Sequence, residues 1–255
     1  MKVLIINPNT SGEFTRKIDQ IAQKYASSAT EIVTKNPSSG PRSIESVYDE
    51  LLSATPTLEC ALSHLDDVDG IVIACYSDHP TIYALREITE LPVLGIAEAS
   101  MYQACMLGYQ FSVVTTNEAW EPLLWDAVKH YGLDERCASV RSTGMAVLEL
   151  EHADEGTTRQ KILESAKIAI EQDQAEVICL GCAGMAGLDK ELEEELGVPV
   201  LDGVVSAVTL MEGLIRYGVS SSKQRAYVTP HHKELLDMDP LFESIYQKKN
   251  TPNEK

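Results

Sequence analysis

Apolar residues in this chain fall into short unbroken runs, separated by longer stretches in which they recur with helical spacing. The unbroken runs predict buried parallel strands over Val3–Asn7, Glu31–Thr34, Gly70–Ala74, Pro92–Gly95, Phe111–Thr115, Ala138–Arg141, Glu176–Leu180 and Pro199–Leu201. Between them the periodicity predicts helices such as Gly12–Tyr25, Thr81–Thr89, Trp120–His130 and Thr158–Gln172. Alternation of this kind belongs to an α/β fold, a parallel sheet covered by helices. The stretch Asn36–Arg42 is rich in Pro, Ser and Gly and reads as a loop. The tail Gln247–Lys255 is polar and reads as a frayed end.

The pattern repeats. Ile71-Val72-Ile73-Ala74-Cys75 resembles Ile178-Cys179-Leu180-Gly181-Cys182, and Leu91-Pro92-Val93-Leu94 resembles Val198-Pro199-Val200-Leu201. Both pairs lie 107 residues apart, and the same spacing carries Asn9 to Thr116. The chain therefore reads as two copies of one α/β unit, residues 1–97 and 98–202, each with a cysteine after its third strand. The segment 203–217 matches 96–110 and is expected to form a helix that packs back on the first unit. Residues 218–255 form a C-terminal extension.

Composition narrows the setting. The 255 residues are 44% hydrophobic and 24% charged, enough for a sizeable core and too ordered a mixture for a disordered chain. The net charge of −18 disfavours phosphate backbones and anionic lipid as partners, so no nucleic acid and no membrane are expected. The N-terminal apolar run, Val3–Ile6, is too short for a signal core or a span, and a cytoplasmic location is expected. In that setting the six cysteines, Cys60, Cys75, Cys105, Cys137, Cys179 and Cys182, are expected as free thiols. Cys179 and Cys182 form one C-x-x-C without a second pair, which is weak support for zinc, and no metal is expected.

Ligands in open parallel sheets bind beyond the carboxyl ends of the strands, where both Cys75 and Cys182 fall. Two units facing each other would aim these thiols into one cleft from opposite sides. That suits racemisation, in which one group removes a proton from one face of a carbon and the other returns a proton to the opposite face. A single cysteine at a strand end is most often a small buried residue; the matched pair reverses that preference. The other four cysteines lack a counterpart and read as structural. Asn9 leaves the first strand and is a candidate donor to a substrate carbonyl or ureido group, with Thr10 or Ser11 as helix cap. Thr115 and Thr116 form the equivalent turn of the second unit. Backbone N–H groups of Tyr76, Ser77, Ala183 and Gly184 are candidates to hold negative charge on a substrate oxygen. Ser43 reads as a helix N-cap, with Glu45 in the first turn. Asp78 reads as part of a helix start, and His79 is disfavoured as a base because the second unit has no counterpart.

These segments resemble the hydantoin racemase and allantoin racemase family, within the aspartate/glutamate racemase superfamily. The matching runs are Ile6-Asn7-Pro8-Asn9-Thr10-Ser11, Gly40-Pro41-Arg42-Ser43-Ile44-Glu45, Ala74-Cys75-Tyr76-Ser77-Asp78, Gly95-Ile96-Ala97-Glu98-Ala99, Ser112-Val113-Val114-Thr115-Thr116 and Gly181-Cys182-Ala183-Gly184-Met185. They span about residues 1–217 in the family's order. The resemblance implies two pseudo-symmetric flavodoxin-like units, an active site in the cleft between them, no cofactor, and Cys75 and Cys182 as the proton-transfer pair. It also implies that the loop carrying Ser43 and Ile44 closes over the ligand and that Thr115 and Thr116 contact it.

Amino-acid racemases of the superfamily typically carry Cys-Asn-Thr and Cys-Thr-His at the two cysteines. Here the runs are Cys75-Tyr76-Ser77 and Cys182-Ala183-Gly184. That departure favours a neutral ring, a 5-substituted hydantoin with allantoin among the candidates, over a free α-carboxylate. The related arylmalonate decarboxylases keep one of the two cysteines, so the presence of both argues against decarboxylation. Three alternatives stay open: an aspartate/glutamate-type racemase, a non-catalytic small-molecule binding protein, and a redox protein using Cys179 and Cys182. A homo-oligomer is expected, as for many soluble enzymes.

Overall fold

A computed structural model of the chain describes residues 1–152 and 155–247. The expected frayed tail lies outside the described residues, except for Gln247, which ends a helix. The first sheet contains β1 (Lys2–Ile6), β2 (Glu31–Lys35), β3 (Gly70–Ile73) and β4 (Val93–Gly95), all parallel in the order β2-β1-β3-β4. The second contains β5 (Phe111–Thr115), β6 (Cys137–Ser142), β7 (Val177–Leu180) and β8 (Val200–Asp202), in the matching order β6-β5-β7-β8. The central strands β3, β5 and β7 are buried along their whole length, and β1 is buried from Val3 onward. Burial on both faces is why these strands read as unbroken apolar runs.

The helices of the first half are α1 (Gly12–Tyr25), α2 (Val47–Leu62), α3 (Pro80–Ile88) and α4 (Ile96–Leu107). The second half adds α5 (Trp120–His130), α6 (Glu149–His152), α7 (Glu155–Glu171), α8 (Asp189–Leu196) and α9 (Gly203–Tyr217), followed by α10 (Pro240–Gln247). Ser11 caps α1 by accepting from the Phe14 N–H at 3.2 Å. The cap expected at Ser43 is a correction. The helix begins three residues later, with Ser46 accepting from the Asp49 N–H at 3.2 Å and the Asp49 carboxylate accepting from the Glu45 N–H at 3.0 Å. Ser43 donates instead to Glu45 at 2.8 Å, so the residues ahead of the helix are held as a loop.

The last helix of each half packs on the other half. α4 follows β4 but lies against β5 and β7, while α9 follows β8 but lies against α1 and β3. Gly203 makes this crossing possible, because a Cβ there would meet the Ile96 carbonyl oxygen at 3.0 Å. Gln103 of α4 donates to Thr209 of α9 at 3.2 Å. One core therefore runs through both sheets, joining Val3, Ile5 and Val72 to Phe111, Val113 and Val177 through Met101, Val208 and Met211. Satellite cores lie outside it, under α2 and α3 on one sheet and under α7 and α8 on the other. Beyond α9 the chain returns to the first sheet, where Ser221 donates to the Leu91 carbonyl at 2.8 Å and α10 packs on α2.

The repeat itself needs a correction. The strand registers set Val3 beside Gly70 and Phe111 beside Val177, so β3 and β7 are offset by 107 residues but β1 and β5 by 108. The first unit carries one more residue between its first and third strands, placed in the connections, where strand register is not disturbed. Asn9 is thus the counterpart of Asn117, and Thr116 that of Pro8.

Candidate active site

In each sheet the chain leaves the two central strands in opposite directions, which opens a crevice at their carboxyl ends. The crevices of the two halves meet in one cleft. The turn after β1 supplies Asn7 and Asn9, and the end of β3 supplies Ala74, Cys75 and Tyr76. The opposite wall comes from Thr115 and Thr116 after β5, and from Gly181, Cys182, Ala183 and Gly184 after β7. Phe14, Ile44, Trp120 and Val147 complete it with apolar surface.

Asn9 is held in one orientation. Its side-chain oxygen accepts from Asn7 Nδ2 and from the Ser11 N–H, both at 2.9 Å. The oxygen is thereby used, and the Nδ2 donor is the half of the amide that remains for a ligand carbonyl. Asn7 is fixed in turn by donating to the Ser11 carbonyl at 3.2 Å and to Thr15 at 3.0 Å. Thr115 donates to the Gly181 carbonyl at 3.1 Å, which ties the ends of β5 and β7 together beside Cys182.

The two thiols have different surroundings. Ser77 donates to Cys75 Sγ at 3.4 Å. Burial, the Glu50 carboxylate and the facing Cys182 hold the Cys75 thiol far above the ordinary range, against the Ser77 hydrogen bond. Cys182 opens a 3-10 turn over Ala183–Met185, and its sulfur accepts from the Gly184 N–H at 3.4 Å. Burial pushes this thiol up to about 11, opposed by the Gly184 N–H and the Lys17 ammonium. The Gly184 amide therefore serves the sulfur, whereas sequence reasoning had it holding a substrate oxygen.

Most of the candidates converge. Cys75, Cys182, Asn9, Ile44, Tyr76, Thr115, Thr116, Ala183 and Gly184 all line the cleft. Tyr76 reaches it with its hydroxyl already paired to Ser100 at 2.9 Å. Two candidates do not line it. Ser77 is buried behind Cys75, because its hydroxyl is turned onto that sulfur. Ser43 is turned away onto Glu45. The loop it belongs to is pinned across the cleft by Glu45, whose carboxylate accepts from Asn117 at 3.4 Å and from the Val147 N–H at 3.3 Å.

His79 is fully buried as the N-cap of α3, paired to Ser53 at 2.9 Å. Burial lowers it to about 4, so it is neutral and outside the cleft. Asp78 accepts from Tyr83 at 2.6 Å and pairs with His130. All six cysteines are free; Cys179 is sealed in the shared core while Cys182 faces the cleft, so the C-x-x-C sulfurs do not share a surface. Phe14, Trp120, Val147 and Glu50 were not singled out in the sequence. Each is an ordinary helix or loop residue by local pattern; the meeting of the two halves gives Phe14, Trp120 and Val147 their place in the cleft, and packing of α2 within the first half sets Glu50 near Cys75.

The arrangement corresponds to known proteins. The Asp/Glu/Hydantoin racemase family model matches residues 3–211. A hydantoin racemase from Pseudomonas sp. (strain NS671) is 44% identical over 92% of this chain and 94% of its own length. The crystal structure of an allantoin racemase from Pseudomonas fluorescens is 43% identical, covers 92% of this chain and 100% of its own, and superposes with a TM-score of 0.89. An allantoin racemase from Klebsiella pneumoniae is 37% identical, covers 96% of this chain and 98% of its own, and gives a TM-score of 0.90. The chain belongs to the Asp/Glu/hydantoin racemase family, and as a racemase it is an isomerase.

Proposed function

We propose that the protein inverts C5 of 5-substituted hydantoins by proton transfer between Cys75 and Cys182. The observation that carries this reading is the pair of thiols at equivalent strand ends of two facing units, both lining one cleft. C5 of a hydantoin bears one hydrogen and lies between a ring carbonyl and a ring nitrogen. The thiolate of one cysteine takes that proton, forming an S–H bond as the C5–H pair of electrons moves into the ring enolate. The thiol of the other cysteine then gives its proton to the opposite face, and its sulfur keeps the electron pair. The product is the enantiomer, and the two cysteines have exchanged roles.

The lining supports a neutral ring. Among the described residues of the cleft there is no Arg, Lys or His to meet a free carboxylate. The occupied Oδ1 of Asn9 supports Nδ2 as the donor to a ring carbonyl, where charge develops in the enolate. The wall of Phe14, Ile44, Trp120 and Val147 suits an apolar C5 substituent. Purified protein incubated in D2O with single enantiomers of 5-benzylhydantoin, 5-isopropylhydantoin, allantoin and aspartate tests this. Loss of optical rotation with C5 deuteration is expected for the hydantoins, with the apolar substituents ahead of allantoin. Inversion of aspartate alone would move the activity to amino acids, and no inversion of any substrate would refute the racemase reading.

A further inference from the structure

The cleft is symmetric in its cysteines and asymmetric in its charges. Lys17, on α1 of the first half, crosses the cleft boundary and donates to the Gly184 carbonyl at 2.7 Å. The N–H of the same Gly184 donates to Cys182 Sγ. An ammonium and a backbone amide therefore converge on the Cys182 side through one residue. Nothing equivalent reaches Cys75. Among the described residues the Ser77 hydroxyl donates to it, and behind Ser77 stands Glu50 of α2. Glu50 has a side-chain oxygen, Oε1, that is buried without a hydrogen-bond partner. A carboxylate short of donors and next to a thiol opposes a second negative charge there.

We propose that Lys17 and Glu50 are positioning residues that make the two thiols unequal, so that the single-thiolate form of the free enzyme carries its charge on Cys182 and its proton on Cys75. The inference rests on the two-cysteine reading above. The groups facing each sulfur support it. Cys182 is met by Lys17 from α1, by Glu45 from the loop before α2, and by the Gly184 and Met185 amides of its own turn. Cys75 is met by Glu50 from α2, by Ser77 and by Cys182 itself. Cation and amides thus favour charge on one sulfur, and a carboxylate disfavours it on the other, with Glu45 the opposing contribution at Cys182.

Steady-state rates cannot reveal this bias. Enantiomers have equal free energy, so kcat/KM must be the same in both directions however the proton rests. The thiolate has to be read directly. The experiment is alkylation of the intact protein by neutral iodoacetamide at fixed, mildly alkaline pH, with the two cysteines followed separately by peptide mass spectrometry. Comparing the same cysteine between variants cancels its accessibility. An opposite or like charge beside a thiol is worth about one pKa unit or more, roughly tenfold in thiolate fraction. Lys17→Met is therefore expected to slow Cys182 about tenfold and leave Cys75 nearly unchanged, with Lys17→Arg restoring most of the rate. Glu50→Gln is expected to speed Cys75 by a similar factor and spare Cys182. Thermal melting of each variant shows whether a change came from loosened structure, which would move both cysteines together.

Cys182 unmoved by Lys17→Met, Cys75 unmoved by Glu50→Gln, or both cysteines shifting together would overturn the proposal. Racemisation measured on the same samples keeps the two claims apart. Thiols that show the asymmetry in a protein that inverts nothing would sink the proposed function alone. Thiols indifferent to both charges in an active racemase would sink this inference alone.

Discussion

Gly181 links the fold to the chemistry, and replacing it with alanine makes a demanding test. The residue follows β7 and immediately precedes Cys182. A Cβ there would meet the Val114 carbonyl oxygen at 2.8 Å, Thr115 Cα at 2.9 Å and Val113 Cγ1 at 2.9 Å. Two of these atoms are backbone of β5, the central strand of its sheet, and cannot swing aside. Gly181 cannot rotate away either. Its N–H donates to the Val114 carbonyl at 2.8 Å, and its own carbonyl accepts from Thr115. Ordinary contact begins at 3.4 Å, so β7 must move off by about 0.6 Å, carrying Cys182 with it. Overpacking of this kind costs roughly 1–3 kcal/mol. At about 2 kcal/mol the melting temperature of a chain this long falls by roughly 4–8 °C. Misplacing a reacting group by about 1 Å can cost roughly a hundredfold in rate, so a loss of about tenfold or more in kcat is expected for Gly181→Ala. Ala74 holds the matching position before Cys75, where a methyl is already accommodated. Ala74→Gly should therefore cost only about 0.5–1 kcal/mol and serves as the control. Unchanged melting and unchanged turnover in Gly181→Ala would refute the close-approach argument.

Three further outcomes follow from named groups. His79 is lowered to about 4 from 6.5 by burial, so its contribution is present above the unfolded value and is lost as pH falls from about 6.5 to about 4. Denaturant titrations should show about 3 kcal/mol of acid-linked loss through that window, most of it absent in His79→Gln; an unaltered pH profile in that variant would contradict the assignment. Arg86 pairs with Glu98, both largely buried, and also donates to the Val93 carbonyl at 2.8 Å. Arg86→Met leaves Glu98 without its cation and should cost about 3–5 kcal/mol in a urea titration, and a loss below about 1 kcal/mol would show the pair to be dispensable. The Cys75 and Cys182 thiols are both held above their ordinary range by burial. The single-thiolate fraction, and with it kcat/KM, should therefore climb about tenfold per pH unit through neutrality into the alkaline range, and a flat profile there would contradict thiolate attack.

The sequence carried the strands because their cause is local. β1, β3, β5 and β7 are enclosed on both faces, and enclosure leaves a continuous apolar run. α1 and α5 were equally legible, with bounds that match the periodicity residue for residue. α2 was not. It contains Pro56, which breaks a helical pattern, and two serines three residues apart compete for its cap. Ser46 wins because the Asp49 carboxylate in turn accepts from the Glu45 N–H, an arrangement that composition does not display. The repeat matched Cys75 with Cys182 at equivalent strand ends but made a one-residue error at Asn9, since an identical spacing at two places hides a single insertion at a third. Lys17 and Glu50 were invisible for another reason. Each is a charged residue on a helix; the crossing of the two halves brings Lys17 to the Cys182 turn, and the packing of α2 within the first half brings Glu50 to Cys75.

The central claim is that inversion needs both thiols, and one measurement addresses it most directly. A single enantiomer of 5-benzylhydantoin is followed in D2O by polarimetry and by loss of the C5 proton signal, with wild type, Cys75→Ser and Cys182→Ser in parallel. Wild type is expected to lose rotation as C5 acquires deuterium. Each serine variant is expected to lose inversion, with Cys75→Ser exchanging the C5 proton of one enantiomer only and Cys182→Ser that of the other. Inversion at near wild-type rate in either variant would contradict the two-thiol account.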